Sequence, residues 1–309
     1  MQLITSLANE NSPKTPSILT IGNFDGMHKG HLTVLQETKT LARSKNCPLT
    51  VLTFENHPSE VLRPAQQISL ICTPIHKLKL LEAAGTDTLI LLPFTKELSQ
   101  HTAEVFLNLV HISLPFTHLV LGHDATLGKD RQGDRQQILV TAATLGFAVK
   151  YLDPFTINGT VVSSSLIRRL IQQGQLDQVT ELLGRKYSIY GPVIRGASKG
   201  KGIGFPTANL DVSQLCLPPF GVYAVQLIHQ GKTHHAIANL GVAPTIRNDQ
   251  KPILEVHLLG IELDLYGQII EVFFHNFIRP EIQFSSIEML KKQIADDILK
   301  ARYILKNIK

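Results

Sequence analysis

SILTIGNFDGMHKGHLTVLQETKTLARSK, residues 17–45, decides the fold of the first half of this chain. Its opening five residues, 17–21, are apolar or β-favouring and read as a strand. From about position 29 to 45, Leu32, Leu35, Leu41 and Ala42 recur at helical spacing, which buries one face of a helix. Between strand and helix lies a short loop carrying Gly22, Gly26 and Gly30. The same alternation continues outward. Strands are expected at 49–54, 88–92, 119–121 and 147–152, with helices at 74–84, 103–110 and 136–145. Strands alternating with helices at this spacing predict an α/β domain built on a doubly wound parallel sheet. Two short helices, 163–173 and 176–183, broken at Gly174, close the region.

After Gly184 the texture changes. Stretches 187–194, 221–229, 234–240, 253–258 and 271–277 are strand-like and separated by turn clusters such as Pro218-Pro219 and Gln230-Gly231. Short strands so closely spaced predict an antiparallel barrel or sandwich. A final helix is expected over 287–306. The chain has 309 residues, about twice a usual domain, and the texture divides it into 1–184 and 185–309.

Composition narrows the function classes. Hydrophobic residues at 43% and charged residues at 18% exclude a disordered chain. Cys47, Cys72 and Cys216 are too few and too far apart for a disulfide framework or a CxxC metal site, which predicts a reducing compartment. The N-terminus lacks the pattern of a signal peptide, and no apolar run is long enough to span a bilayer, so a cytoplasmic protein with no membrane partner is expected. The formal net charge of +5 comes from scattered lysines and arginines. A nucleic-acid footprint would be clustered and interleaved with aromatic platforms; a mild, scattered excess suits small polyanions such as nucleotides.

The loop at 22–31 is the first place to look for chemistry, because ligands of open α/β sheets bind at the carboxyl ends of strands. A helix N-terminus offers free N–H groups and a positive partial charge to a phosphate. His28 and His31 can both face such a ligand, and imidazole N–H groups can stabilise charge developing on phosphate oxygens. An isolated HxxH pair is most often two ordinary surface residues. A metal pair is a further reading, but no third ligand stands in register. The position between first strand and first helix favours phosphate.

GNFDGMHKGH (22–31) resembles the HxGH signature of nucleotidyltransferases, in the form found in bacterial bifunctional riboflavin kinase/FAD synthetases. The resemblance runs in register through TFENHP (53–58), GHDATLGKDRQGD (122–134), VSSSLIRRL (162–170) and LLGRKYSIYGPVIRG (182–196). It continues through GFPTANL (204–210), LPPFGVYAV (217–225), ANLGVAPT (238–245) and LEVHLL (254–259). Asn56 stands where the family's TFEPHP has proline, and Ala125-Thr126-Leu127 replaces an aromatic run.

The resemblance implies a Rossmann-like nucleotidyltransferase domain followed by a riboflavin kinase β-barrel with a terminal helix. It implies transfer of AMP from ATP to FMN in the first domain, with catalytic His28 and His31 on the ATP phosphates. Gly22, Asn23, Phe24 and Asp124 would border the nucleotide. Ser164, Ser165 and Arg168 would hold the departing pyrophosphate; taken alone, that string reads as a helix cap and a surface arginine. Phe54 and Pro58 would help form the flavin pocket, with Arg279 a further flavin-binding residue.

In the second domain the loop 195–204 is glycine-rich and basic but fits neither a Walker A nor a GxGxxG pattern. Alone it reads equally as a surface loop or a phosphate site. The resemblance makes Gly196, Lys199, Lys201, Gly204 and Thr207 ATP-binding, with Thr207 and Asn209 sharing Mg²⁺ with the ATP phosphates. It selects Glu255 as the general base for the riboflavin 5′-hydroxyl. The expected substrates are riboflavin, FMN and ATP, with FMN and FAD as products and no nucleic-acid partner. An alternative keeps one half-reaction active and the other module as scaffold or flavin sensor; a binder without turnover is the reading from another class.

Overall fold

The computed structural model describes residues 1–7, 15–66, 68–196, 204–242, 251–306 and 308. Its contacts divide the chain into two compact units, Met1–Ile68 with Lys77–Ser164, and Ser69–His76 with Ser165–Lys309.

The first unit is a parallel sheet with helices. Its strands are β1 (Gln2–Ile4), β2 (Ser17–Ile21), β3 (Leu49–Phe54), β4 (Thr88–Leu92), β5 (Phe116–Leu121) and β6 (Ala148–Tyr151). They pair in the order β1-β4-β3-β2-β5-β6. The helices are α1 (Lys29–Ser44), α2 (Pro58–Leu62), α3 (Pro74–Ala83, in this unit from Lys77 onward), α4 (Lys96–Ser99), α5 (Ala103–Ser113) and α6 (Arg135–Leu145). A small hairpin, β7 (Thr156–Ile157) and β8 (Thr160–Val161), comes after them.

Alternate residues of the strands feed two cores. Ile18, Val51, Leu89 and Val120 pack with Leu35, Ala42 and Leu81, whereas Leu19, Leu52, Ile90 and Leu119 pack with Phe106, Leu107, Val110 and Ile138. Burial on both faces is what a parallel sheet requires, and each such Leu or Ile contributes roughly 1.5–3 kcal/mol. This packing fixes where the strands end. The strand order reverses beside β2: the chain moves to β3 and β4 on one side, and to β5 and β6 on the other. The carboxyl ends of β2 and β5 therefore flank the crevice where such sheets bind ligands.

β5 begins at Phe116, earlier than the apolar run 119–121 announced, because Thr117 and His118 interrupt that run at the sheet's less buried end. α2 and α4 are too short to show a helical period; they are set by caps, with the His57 and Thr95 side chains each accepting a backbone N–H.

Besides Ser69–His76, the second unit contains α7 (Ser164–Gln172) from Ser165 onward and α8 (Leu176–Leu183). Composition alone places the change of texture at Gly184, while contacts group these two helices with the strands of the second half. β9 (Ser188–Pro192), β10 (Ala208–Asp211), β11 (Gly221–His229), β12 (Lys232–Val242), β13 (Pro252–Leu258) and β14 (Ile269–Arg279) form one antiparallel sheet in the order β10-β13-β12-β11-β14-β9. The Ile194 N–H, just past β9, donates to Asn209 O on β10 at 2.8 Å and curls the sheet nearly into a barrel. That resolves the barrel-or-sandwich alternative in favour of the barrel. The terminal helix α9 (Ile287–Lys306) lays Ala301 and Leu305 on Val222, Ala224 and Ile237.

Candidate active sites

The loop after β2 is held in an unusual backbone path. Phe24 (φ 50°) and Met27 (φ 43°) occupy the left-handed region, where an L-residue costs about 1–2 kcal/mol. Both side chains are buried, which offsets that cost. His28 then caps α1: its Nδ1 accepts the His31 N–H at 3.3 Å. The two imidazoles stack, with centroids 3.6 Å apart and planes at 17°, and the Phe24 ring meets His31 edge-on at 5.3 Å. A Cβ at position 30 would come within 3.1 Å of His28 Cε1 and Nδ1, so Gly30 is what lets the capping ring lie there.

The cap fixes chemistry as well as shape. An Nδ1 that accepts leaves the neutral ring's proton on Nε2, giving His28 an N–H donor. Burial, and then the charge of His28, holds the His31 pKa well below the ordinary histidine value. His31 Nδ1 is buried and has no hydrogen-bond partner among the described residues. Two imidazoles at a helix N-terminus can donate to phosphate oxygens while the positive helix end supplies field.

Neighbouring elements converge on this edge of the sheet. The Ser164 hydroxyl donates to Asp25 O at 3.2 Å, and Thr53 Oγ1 donates to Asn23 O at 3.2 Å. Gly22 N–H donates to Leu52 O at 3.1 Å, continuing the β2–β3 ladder by one bond. Phe54 closes β3 with its ring edge-to-face on Phe94 at 5.1 Å. Asn56 takes both backbone groups of Phe94, accepting its N–H at 2.9 Å and donating to its carbonyl at 3.1 Å. Pro58 opens α2 behind the His57–Glu60 capping box. Asp124 is exposed in the turn that leaves β5. The first-domain candidates Gly22, Asn23, Phe24, His28, His31, Phe54, Asp124 and Ser164 thus lie on strand ends, loops or first helical turns of one unit. Ser165, exposed, and Arg168 count with the second unit, where Arg168 Nε donates to Ser69 O at 2.8 Å.

In the barrel, Glu255 on β13 is flanked in register by Asn209 on β10 and Asn239 on β12. Cross-strand partners share a face, so one carboxylate lies between two amides. Leu254, Val256 and Leu258 alternate with it and are buried. Asn209 is buried; its Nδ2 donates to Thr207 O at 3.4 Å, and its Oδ1 has no partner among the described residues. A Cβ on Gly196 would collide with the Asn209 amide, which is why a glycine stands there. His257 Nδ1 donates to Pro206 O at 2.8 Å and pins the chain that carries Thr207. Gly204 is described and exposed; Lys199 and Lys201 lie outside the described residues.

Arg279 is already engaged within the barrel unit. Its Nε and Nη2 both reach Asp297 Oδ2 at 2.8 Å, and Nη1 donates to Pro280 O at 2.9 Å. Sequence reading missed Lys77, which donates to Phe54 O at 2.6 Å, and Glu281, whose Oε1 accepts from Asn239 Nδ2 at 3.3 Å. A polar Asn239 inside the otherwise apolar second half of β12 was the available signal for the second; nothing in the local pattern around Lys77 announced the first.

The fold defines a two-module protein, a parallel α/β unit followed in the chain by an antiparallel barrel. The family model for FAD synthetase matches residues 10–166, and that for riboflavin kinase matches residues 183–305. The chain is 37% identical over 306 residues to a bifunctional riboflavin kinase/FMN adenylyltransferase of Haemophilus influenzae, covering 98% of each chain. It is 34% identical to the protein of that name in Escherichia coli, covering 98% of this chain and 97% of the other. The chain belongs to the bifunctional riboflavin kinase/FMN adenylyltransferase family. A crystal structure described as a macrolide-efflux protein from Streptococcus pneumoniae superposes with a TM-score of 0.82 at 26% identity, covering 98% of this chain and 99% of that one. No helix among the described residues is long and apolar enough to cross a membrane.

Proposed function

We infer that this chain makes FMN and then FAD, each with one ATP. The observation that carries this reading is the succession, in one chain, of the modules that define the FAD synthetase and riboflavin kinase families. Residues 185–309 transfer the γ-phosphoryl group of ATP to the riboflavin 5′-hydroxyl, releasing ADP. Residues 1–184 transfer AMP: an FMN phosphate oxygen attacks the α-phosphorus of ATP, and the bond to the β-phosphate oxygen breaks to release pyrophosphate.

In the adenylyl transfer, His28 and His31 donate to the ATP phosphates, and the helix N-terminus adds positive potential. Gly22, Asn23, Phe24 and Asp124 border the nucleotide; Ser164, Ser165 and Arg168 receive the pyrophosphate; Phe54 and Pro58 line the flavin. No covalent intermediate is needed, since orientation and charge stabilisation suffice for in-line displacement. In the phosphorylation, Glu255 accepts the proton of the riboflavin hydroxyl. Gly196, Lys199, Lys201, Gly204 and Thr207 hold ATP, and Arg279 contributes to flavin binding. The orphaned, buried Asn209 Oδ1 is a hard donor that fits Mg²⁺, with Thr207 Oγ1 beside it in sequence. When bound, the ion neutralises phosphate charge. The three cysteines form no disulfide among the described residues, which accords with a cytoplasmic protein.

The test is a timed incubation of the purified protein with riboflavin and MgATP under varied redox conditions, with flavins separated by chromatography. FMN followed by FAD is the expected result. Formation of neither overturns the reading.

A further inference from the structure

We propose that Lys77 is a positioning residue for adenylyl transfer, tying the nucleotide loop to the flavin-side strand end. The β2–β3 ladder stops at the bond from Gly22 N–H to Leu52 O. Beyond that point the two chains diverge, one into the loop at Asn23 and the other into Phe54. Lys77, on α3, bridges them with its ammonium group. Its Nζ donates to Phe54 O at 2.6 Å and lies 3.5 Å from both Asn23 O and Thr53 Oγ1. Thr53 Oγ1 itself donates to Asn23 O at 3.2 Å. An ammonium with three donors meets a cluster of oxygens that the sheet no longer serves. Neutral side chains of similar length would leave Phe54 O without its charge-assisted partner.

The proposal rests on the adenylyltransferase reading of this unit. There Asn23 borders ATP and Phe54 borders FMN, so the spacing between their backbones sets the distance between the reacting groups. Lys77 donates to the protein's own oxygens, and its part in the reaction is to hold that spacing. In-line transfer is sensitive to shifts of this kind, and about 1 Å of misplacement costs up to roughly 100-fold in rate.

The experiment compares wild type, Lys77→Met and Lys77→Arg in two assays on each full-length protein: FAD formation from supplied FMN and MgATP, and FMN formation from riboflavin and MgATP. Lys77→Met is expected to slow FAD formation roughly 10–100-fold, with KM rising for both ATP and FMN. Lys77→Arg, which keeps the charge and several donors, should recover most of that loss. FMN formation by the same preparations should be unchanged and reports that the protein is folded. Unchanged FAD formation in Lys77→Met overturns the proposal alone. So does loss of both activities with no recovery in Lys77→Arg, which is a folding defect. Wild type that makes no FAD from FMN overturns the adenylyltransferase reading together with the proposal.

Discussion

Asn209 on β10 and Glu255 on β13 are direct cross-strand partners, so the orphaned amide oxygen and the carboxylate share one face of the barrel one strand apart. Directly opposed Cβ atoms lie about 4.5–5.5 Å apart, which puts the proposed metal donor and the proposed base within the span of one phosphoryl transfer. Glu255→Gln keeps the shape and removes the basicity. It is expected to lower FMN formation by about 10²–10⁴-fold while leaving FAD formation from supplied FMN intact. Chromatography of both reactions checks it; FMN formation at the wild-type rate would place the base elsewhere.

His31 gives the first unit a defined pH response. Its folded pKa lies well below the ordinary value because burial opposes the cation first and the charge of His28 second. The unfolded chain, with a histidine pKa of about 6.5, therefore binds a proton that the folded chain refuses. The resulting stability is fully present above about pH 6.5 and is lost as pH falls from there towards the folded pKa. Thermal unfolding followed from pH 8 to pH 5 should show a falling midpoint below about 6.5. His31→Asn should flatten that fall. An equal slope in the variant would mean that other groups carry the proton uptake.

Gly30 is a tight point of the first site. A methyl group there meets the His28 ring at 3.1 Å, and the ring cannot yield without leaving both its cap to His31 N–H and its stack on the His31 ring. Gly30→Ala is expected to cost roughly 10-fold or more in FAD formation by displacing the imidazoles proposed to meet the phosphates. FMN formation should not change. A variant with wild-type rates of both would show that the His28 position is not what limits the transfer.

The strand–loop–helix at 17–45 was legible because two periods, one of the strand and one of the helix, meet at glycines. The barrel strands were legible for the same local reason. β10 was not: it has four residues and comes just after Pro206, too short for a period. Sites made by local sequence, such as the His28–His31 pair, could be read directly. Lys77 could not, since its acceptor Asn23 is 54 positions away and only the fold joins them. Glu255 could be named through resemblance, but its two amide neighbours come from β10 and β12 and required the register. Arg279 was named for the flavin through resemblance; its partner Asp297, 18 positions away on α9, is what only the fold could supply.

That pair supports a last prediction. Asp297 is 1% exposed, and its second oxygen accepts from Gln293 Nε2 at 2.9 Å, so both carboxylate oxygens have donors inside the barrel unit. Its two bonds to Arg279 aim the guanidinium and anchor α9 to the end of β14. Removing the carboxylate leaves Arg279, 14% exposed, without its counter-charge, which costs less than the roughly 3–5 kcal/mol of a fully buried pair. Asp297→Ala should lower the urea midpoint of the barrel unit accordingly. Asp297→Asn keeps the volume and one acceptor and should destabilise less. If Arg279 meets the flavin, the Asn variant should raise KM for riboflavin more than KM for MgATP, because only the aim of the guanidinium has changed. Equal changes in the two constants would leave Arg279 as a strut between strand and helix, with its flavin role overturned.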